Sequence, residues 1–112
     1  MRIVRPFSVI LLVLAFVSLL AAAEVNGKIF IFGGYEKGSE LVEEYDTASD
    51  SWRRRAPLPK PLHHTGATAV NGKIYVIGGY APGGKVVDTV YEYDPGKDQW
   101  AIKKSMPTAR AA

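Results

Sequence analysis

The feature that most constrains this chain is an internal repeat. Residues 25–35 read Val-Asn-Gly-Lys-Ile-Phe-Ile-Phe-Gly-Gly-Tyr, and residues 70–80, 45 positions later, read Val-Asn-Gly-Lys-Ile-Tyr-Val-Ile-Gly-Gly-Tyr. A Glu-Tyr-Asp triplet and a tryptophan follow in each copy, now 48 positions apart (residues 44–46 and 92–94, Trp52 and Trp100). The three extra residues fall in the Pro-Gly-Gly stretch after Tyr80, which has loop composition. A repeat whose spacing changes only within a loop indicates one structural unit present twice.

Each copy has the composition of short β-strands. Lys28–Phe32 and Lys73–Ile77 are β-branched and aromatic runs that follow an Asn-Gly turn signal and end at Gly-Gly. Similar composition predicts strands over residues 65–70 and 88–94 and from each tryptophan onward, and no helical period follows residue 24. Four short antiparallel strands repeated every 45–48 residues are typical of a β-propeller blade. The predicted fold is therefore all-β, with two four-stranded antiparallel blades in an incomplete ring.

The two copies resemble kelch repeats, in which an apolar strand ends in Gly-Gly and is followed by Tyr-Asp and then by Trp. The resemblance covers about residues 22–112 and implies kelch-type β-propeller blades. Residues 106–110 also resemble the loop that leads into a further kelch unit, although Leu62 stands at the position of Arg110 in the first copy. The motif residues, for which we expect a structural role, are Gly33, Gly34, Tyr45, Asp46, Trp52, Gly78, Gly79, Tyr93, Asp94 and Trp100.

These residue types have physical reasons to recur. Paired glycines allow positive φ angles and a close approach of backbones where blades meet. The tyrosines and tryptophans offer large apolar faces, so we expect them in the core between blades. The two aspartates stand at matching turn positions, which favours turn hydrogen bonds over catalysis.

The first 23 residues have the pattern of an export signal. Arg2 and Arg5 precede an apolar run that ends in three alanines before Glu24. As a helix, residues 7–23 would span about 25 Å, short of the roughly 30 Å of a membrane core. We therefore expect a hydrophobic signal helix over residues 1–23, with a secreted or periplasmic product. The alternatives are an uncleaved membrane anchor over residues 7–23 and a misassigned start codon.

The predicted domain boundaries follow from this segment. Residues 24–64 form the first repeat, whose opening strand would be incomplete after cleavage, and residues 65–112 form the second repeat and the start of a third. Closed propellers need roughly 4–8 blades. We therefore expect either a segment of a longer propeller or self-association of several copies to complete a ring.

No motif in the chain indicates catalysis or a cofactor. The absence of cysteine excludes disulfides and thiol chemistry. Residues 79–85 match the start of a phosphate-binding loop, but Val86 replaces the required Ser or Thr and a strand follows instead of a helix. His63 and His64, as neighbours on an extended chain, are expected to point to opposite faces and to hold no metal. Glu43 and Glu44 are likewise adjacent and do not form a carboxylate pair.

The charged residues indicate a solvated surface. The net charge of +3 falls to +1 without residues 1–23, which gives no reason to expect nucleic-acid binding. Arg53, Arg54 and Arg55 follow the first tryptophan, and Lys103 and Lys104 follow the second. We expect them at the solvated outer edges of the blades, where charge prevents edge-to-edge pairing; the alternative is a docking patch for an acidic partner.

These observations favour a non-catalytic kelch protein that binds a protein partner or an extracellular ligand, with no cofactor. Loops at the ends of blades are the usual recognition surfaces. The most variable loops between the copies are the candidate contacts: Glu36, Lys37, Gly38, Ser39 and Glu40 in the first, and Ala81, Pro82, Gly83, Gly84 and Lys85 in the second. The alternative is a segment of an exported sugar-active propeller that resembles sialic acid epimerases or galactose oxidases. The galactose oxidase chemistry uses a cysteine-linked tyrosine, and this chain has no cysteine.

Overall fold

The computed structural model describes residues 20–34 and 40–112, which form ten β-strands and no helix. The predicted all-β class is confirmed. The hydrophobic helix was expected over residues 1–23, of which residues 1–19 lie outside the described ranges. Residues 21–23 belong to a strand. Across the described residues, no helix is long and apolar enough to cross a membrane.

Blade 1 is a four-stranded antiparallel sheet with its strands side by side in chain order. The predicted Asn-Gly turn joins the first two strands, so that Val25 pairs with Lys28. Each later strand pairs antiparallel with the one before it. The strands are β1 (Ala21–Val25), β2 (Lys28–Phe32), β3 (Val42–Asp46) and β4 (Ser51–Arg54).

The first strand of blade 1 is complete in the whole chain, and the expectation that cleavage leaves it incomplete stays a prediction. β1 begins at Ala21 and pairs with β2 along all five of its residues. Ala21 is buried, opposite Phe32. The alanines that resemble a cleavage site therefore also serve as strand residues, because a small apolar side chain suits both roles.

Blade 2 repeats this sheet and adds a small hairpin. Its order is β5-β6-β9-β10, again antiparallel. Residues 81–85, expected to form a plain loop, instead belong largely to a two-stranded hairpin in which Tyr80 pairs with Val86. The strands are β5 (Gly66–Val70), β6 (Lys73–Ile77), β7 (Tyr80–Ala81), β8 (Lys85–Val86), β9 (Val90–Asp94) and β10 (Gln99–Ile102).

The core lies between the two blades, where β1 packs against β5 and β6. Phe30 and Phe32 project from blade 1 towards blade 2, and each is 1% exposed. Their rings lie 5.8 and 6.2 Å from the ring of Tyr93, and Phe32 lies 5.7 Å from Trp100, all edge to face. Burial of each such side chain contributes about 1.5–3 kcal/mol to stability. The contact between the blades therefore holds the fold together.

The strand connections divide into two ends of the molecule. One end, here called the tight-turn end, has connections of two to four residues (residues 26–27, 47–50, 71–72 and 95–98). The opposite end, here called the long-loop end, has the remaining connections and the C-terminal segment (residues 33–41, 55–65, 78–89 and 103–112). The second predicted contact loop lies at the long-loop end, and so does Glu40, the one described residue of the first.

Candidate binding surface

The diglycines fix the loops of the long-loop end against the strands. The Gly34 N–H donates to the Leu62 carbonyl at 3.4 Å, and the Gly79 N–H donates to the Arg110 carbonyl at 2.8 Å. Gly79 has a φ of 109°, and a Cβ there would lie 2.7 Å from the His63 carbonyl oxygen. Leu62 and Arg110 stand at equivalent positions, and each accepts the glycine hydrogen bond with its backbone carbonyl. Their side chains can therefore differ. The leucine is buried, whereas the arginine is exposed.

The β7–β8 hairpin carries the second predicted contact loop. Pro82, Gly83, Gly84 and Lys85 are exposed, and Ala81 is half-buried. A side chain built at Gly83 or Gly84 would meet no atom within 4 Å, so the tip projects into solvent. A hairpin holds its tip more rigidly than a plain loop, which lowers the entropy lost when a partner binds.

The first predicted contact loop is described only at its last residue. Glu40 is half-buried, and its carbonyl accepts a 2.8 Å hydrogen bond from the Leu58 N–H. The bond ties the end of this loop to the connection between the blades. Glu36, Lys37, Gly38 and Ser39 lie outside the described residues.

An aromatic cluster supports the base of the hairpin. His63 exchanges two backbone hydrogen bonds with Tyr80, of 3.1 and 2.8 Å, and the rings of His63, His64 and Tyr80 lie 4.8–5.6 Å apart. The prediction that the histidines point to opposite faces is wrong, because His64 has a φ of 55° and leaves the extended conformation. Their Nδ1 atoms are 2.6 Å apart.

The cluster favours a neutral imidazole at His63. Burial, and secondly the neighbouring His64, lowers the pKa of His63. Neutral imidazole nitrogens can accept hydrogen bonds or bind metals. Within the described part of the chain, however, no group of three or more His, Cys, Asp or Glu side chains is placed to hold a metal ion.

An open apolar cavity of about 420 Å³ lies beside this cluster. It is bounded by β5, by Ile77 at the end of β6, and by Met106 and Arg110 of the C-terminal segment. His64 lines it from the side of the aromatic cluster. The cavity has the concave, mostly apolar character of ligand and partner sites, and its lining includes the polar side chains of His64, Thr68 and Arg110.

A charged network lies inside the contact between the blades. Glu44 is 3% exposed and pairs with Arg53 at 3.3 Å and with Arg55 at 3.1 Å. Arg55, with its side chain 7% exposed, also donates to the Tyr93 hydroxyl at 2.9 Å and lies 3.3 Å from Asp98. The expectation of three solvated arginines is therefore wrong for Arg55, whose chain turns inward after β4 to satisfy a buried carboxylate.

The network shifts the titration of its members. Burial, followed by the hydrogen bond to Asp98, raises the pKa of Tyr93 to about 12. Burial alone would raise the pKa of Asp98, but hydrogen bonds from Tyr93 and the Ala56 N–H, together with Arg55, lower it. The Tyr93 hydroxyl therefore stays protonated beside the charged Asp98 carboxylate, and the hydrogen bond between them fixes the orientation of the two side chains.

Sequence reasoning missed most of this network. Asp98 follows Tyr93 by five positions and accepts a 2.5 Å hydrogen bond from its hydroxyl group. Asp50 does the same for Tyr45. The recurrence of this Tyr-to-Asp spacing in both copies is a signal that could have found the pair. Nothing local marks the burial of Glu44, because it depends on a neighbouring blade.

The motif aspartates have the same role in both blades, whereas the motif tryptophans do not. Asp46 accepts hydrogen bonds from two backbone N–H groups of the turn after β3, and Asp94 does so after β9. Trp100 packs half-buried on the core and donates to the Ala56 carbonyl at 3.0 Å, whereas Trp52 is 57% exposed. The tryptophan position is thus an inter-blade position only where a second blade covers it.

The fold and these contacts define a class: two consecutive blades of a β-propeller, joined through a diglycine and a Tyr-Asp-Trp motif. Comparison with known families agrees. A model of the Kelch motif matches residues 18–59 and again residues 61–107. The chain belongs to the kelch family.

Similar proteins come from distant organisms. The chain is 33% identical over 96 residues to beta-scruin of Limulus polyphemus and 35% identical over 105 residues to Kelch-like protein terF of Aspergillus terreus. These alignments cover 78% and 80% of this chain but 10% and 22% of the relatives. The solved structure of YjhT matches with a TM-score of 0.71 at 25% identity, over 82% of this chain and 29% of that one. The chain therefore spans a small part of the length of its relatives.

Proposed function

We propose that this kelch protein acts without catalysis, by binding a protein partner through the long-loop end. The observation that carries the proposal is the exposed β7–β8 hairpin beside the apolar cavity. The hairpin offers a rigid projecting tip, and the cavity offers a concave surface for an apolar side chain of the partner. The loops vary between the two copies while the strands that hold them do not, as expected of a scaffold that carries recognition loops.

The charge of this end suggests the character of the partner. Lys85 at the hairpin and Arg110 at the cavity are both exposed, and Lys60 is exposed on the connection between the blades. Asp88 is an exposed acidic residue on the same connection as the hairpin. We therefore favour a partner segment that combines an apolar anchor with acidic residues.

Site-specific photocrosslinking tests the binding surface. A photoreactive amino acid is placed at Lys85, and in a matched control at Lys97, which is exposed at the tight-turn end. In cells that express the full chain, we expect a defined adduct from position 85 and none from position 97. Adducts from position 97 alone, or equal adducts from both, would contradict the proposal.

Export is a second part of the proposal, supported by the pattern of residues 1–23. Cleavage after Ala23 would remove three of the five residues of β1, including the buried Ala21. The loss of these strand residues on cleavage supports the alternative of an uncleaved anchor, in which residues 7–23 remain attached. N-terminal sequencing of the mature protein separates them: Met1 in a membrane fraction supports the anchor, Glu24 in an exported fraction supports cleavage, and Met1 in the cytoplasm contradicts export.

The alternative of a sugar-active propeller is testable, but the described residues give it little support. Within the described residues, the titratable groups of buried networks pair with each other, and none faces the apolar cavity except His64 and Arg110 at its margin. A sugar epimerisation assay on the full chain, with Lys85→Ala as control, tests this alternative. Turnover would replace the binding proposal.

A further inference from the structure

The two histidines at the base of the β7–β8 hairpin share one hydrogen bond. The Nδ1 atoms of His63 and His64 lie 2.6 Å apart, within hydrogen-bond distance. A neutral imidazole carries a proton on one of its two nitrogens, whereas an imidazolium carries a proton on both. One Nδ1 atom must therefore donate and the other must accept. The contact requires that at least one of the two rings is neutral.

Backbone bonds connect this pair to strand β7. The His63 N–H donates to the Tyr80 carbonyl at 3.1 Å, and the Tyr80 N–H donates to the His63 carbonyl at 2.8 Å. We call these two bonds the hairpin bridge. Tyr80 is the first residue of β7 and pairs with Val86 of β8. Its ring lies 5.4 and 5.6 Å from the rings of His63 and His64, so the pair and the base of the hairpin form one unit.

The backbone of His64 gives this unit an alternative conformation. Its φ of 55° lies in the left-handed region, which costs free energy for a residue with a Cβ. The Ala112 N–H, which donates to the His64 carbonyl at 3.1 Å, helps to hold this conformation. An extended His64 would point away from its neighbour. The bond between the rings therefore holds a strained backbone, and its loss favours the extended one.

We propose that the His63–His64 pair is a pH-sensitive latch on the β7–β8 hairpin. While one ring is neutral, the Nδ1 bond forms and the hairpin bridge holds. When both rings are protonated, two N–H groups and two positive charges face each other, so the rings separate and the bridge opens. The bonds from Gly79 to Arg110 and from Arg110 to Val87 remain, so the hairpin loosens at its base while blade 2 stays folded.

The surroundings of the pair oppose the second proton. The titratable side chains that the described elements place beside it are Tyr80 of β7 and Arg110 of the C-terminal segment, which lines the same cavity as His64. A phenol has no charge in neutral or acidic solution, whereas a guanidinium is always cationic. Arg110 therefore adds to the repulsion that a second imidazolium meets. Burial and the neighbouring His64 lower the pKa of His63, in agreement with this arrangement.

The latch should hold in neutral solution and open in acid. Two separated histidines take up protons near pH 6.5. The closed pair resists the second proton, so below about pH 6.5 the open form binds more protons than the closed form. Lowering the pH therefore favours opening. The shift is roughly tenfold in the opening equilibrium for each pH unit between the ordinary pKa and that of the second protonation.

Opening of the latch would also change the surface that we assign to a partner. The hairpin tip is held through the bridge, and His64 lines the apolar cavity. We therefore expect weaker partner binding in acid, and this consequence rests on the proposed function. The latch itself does not, because its opening is measured on the chain without a partner.

Nuclear magnetic resonance of the purified full chain between pH 8 and pH 4.5 tests the latch. The sequence contains two histidines, so every imidazole signal comes from this pair. We expect two separate protonation steps. The amide protons of His63 and Tyr80 should lose protection from hydrogen exchange at the second step, by roughly tenfold or more. The control is the Lys103 amide, which donates to the Val90 carbonyl of the same blade at 2.9 Å and should keep its protection.

The variant His64→Asn assigns the effect to the pair. Asparagine tolerates the left-handed conformation and takes up no proton, so the bridge should form at neutral pH and lose its acid sensitivity. If this variant does not fold, the comparison of Tyr80 with Lys103 in the parent chain still decides. Three results would overturn the proposal: imidazoles that titrate in one step with no loss of protection at Tyr80, an equal loss at Lys103, or an acid-induced loss that persists in His64→Asn. Failure of the crosslink from position 85 would count against the proposed function alone.

Discussion

Blade 1 and blade 2 have the same strands and the same motif, yet opposite faces of the two are buried. Blade 1 buries Phe30 and Phe32 and exposes the Trp52 side, whereas blade 2 buries the Trp100 side and leaves Tyr75 half-exposed. The burial of a repeat residue therefore depends on the neighbouring blade and not on the sheet to which the residue belongs. Equivalent residues in the two blades therefore serve as matched controls for each other.

Truncation of a covered phenylalanine should have the largest effect. Phe32→Ala removes a ring that contacts both Tyr93 and Trp100, and we expect a loss of about 3–5 kcal/mol in the free energy of unfolding. The equivalent Ile77→Ala should cost less than half as much, because Ile77 is half-exposed. Urea denaturation of the full chain, at concentrations that keep it monomeric, measures both. Equal losses would mean that the blades do not pack as described.

The buried carboxylate gives the next largest contrast. Glu44→Gln leaves Arg55 buried beside a neutral amide, and we expect a loss of about 3 kcal/mol. Glu92, its equivalent, is bonded to Tyr75 on an outward face, so Glu92→Gln should change stability much less. The same denaturation experiment compares the two. A silent Glu44→Gln variant would show that the network does not form.

Two glycines that differ in their surroundings allow a finer test. Gly79→Ala places a Cβ against the His63 carbonyl at a φ of 109°, and we expect a loss of about 2 kcal/mol. Gly83 has a φ of 86° but open space around it, so Gly83→Ala should cost only the backbone strain, about 1 kcal/mol. A larger cost at Gly83 would contradict the exposed hairpin tip. Thermal unfolding of both variants gives the comparison.

The smallest effect is a pH dependence in alkaline solution. Tyr93 keeps its proton to about pH 12 in the folded chain, whereas an unfolded tyrosine loses its proton near pH 10. The unfolded state therefore gives up a proton first, and stability should fall as pH rises from about 10 to about 12. Tyr93→Phe should flatten this fall, whereas Tyr45→Phe, on a half-exposed ring, should flatten it less. Urea midpoints at several pH values would detect the slope, and an unchanged slope in Tyr93→Phe would contradict the assignment.

Local sequence signals predicted the sheets well. The Asn-Gly turns and the β-branched runs identified β2 and β6 with their bounds, because these signals act over a few residues. The position of residues 81–85 at the end of blade 2 followed from the same strands. The prediction that cleavage leaves β1 incomplete stays a prediction, because the alanines of this strand fit both a cleavage site and a strand.

Contacts between blades could not be read from the sequence. Arg55 looked like the end of a solvated arginine run, and only the packing of blade 2 shows that it meets Tyr93 and Asp98. His63 and His64 converge because one residue has a left-handed backbone conformation, which no neighbouring glycine or turn motif announced. Long-range packing and single backbone conformations are decided by the whole fold.

Single-tryptophan fluorescence tests the central contrast between the blades most directly. Trp100→Phe leaves Trp52 as the only tryptophan, and Trp52→Phe leaves Trp100. In dilute solution we expect acrylamide to quench Trp52 several times more strongly than Trp100, because blade 1 covers Trp100 whereas Trp52 is 57% exposed. Equal quenching of the two tryptophans, in dilute protein that is folded by circular dichroism, would contradict the packing of blade 1 on blade 2.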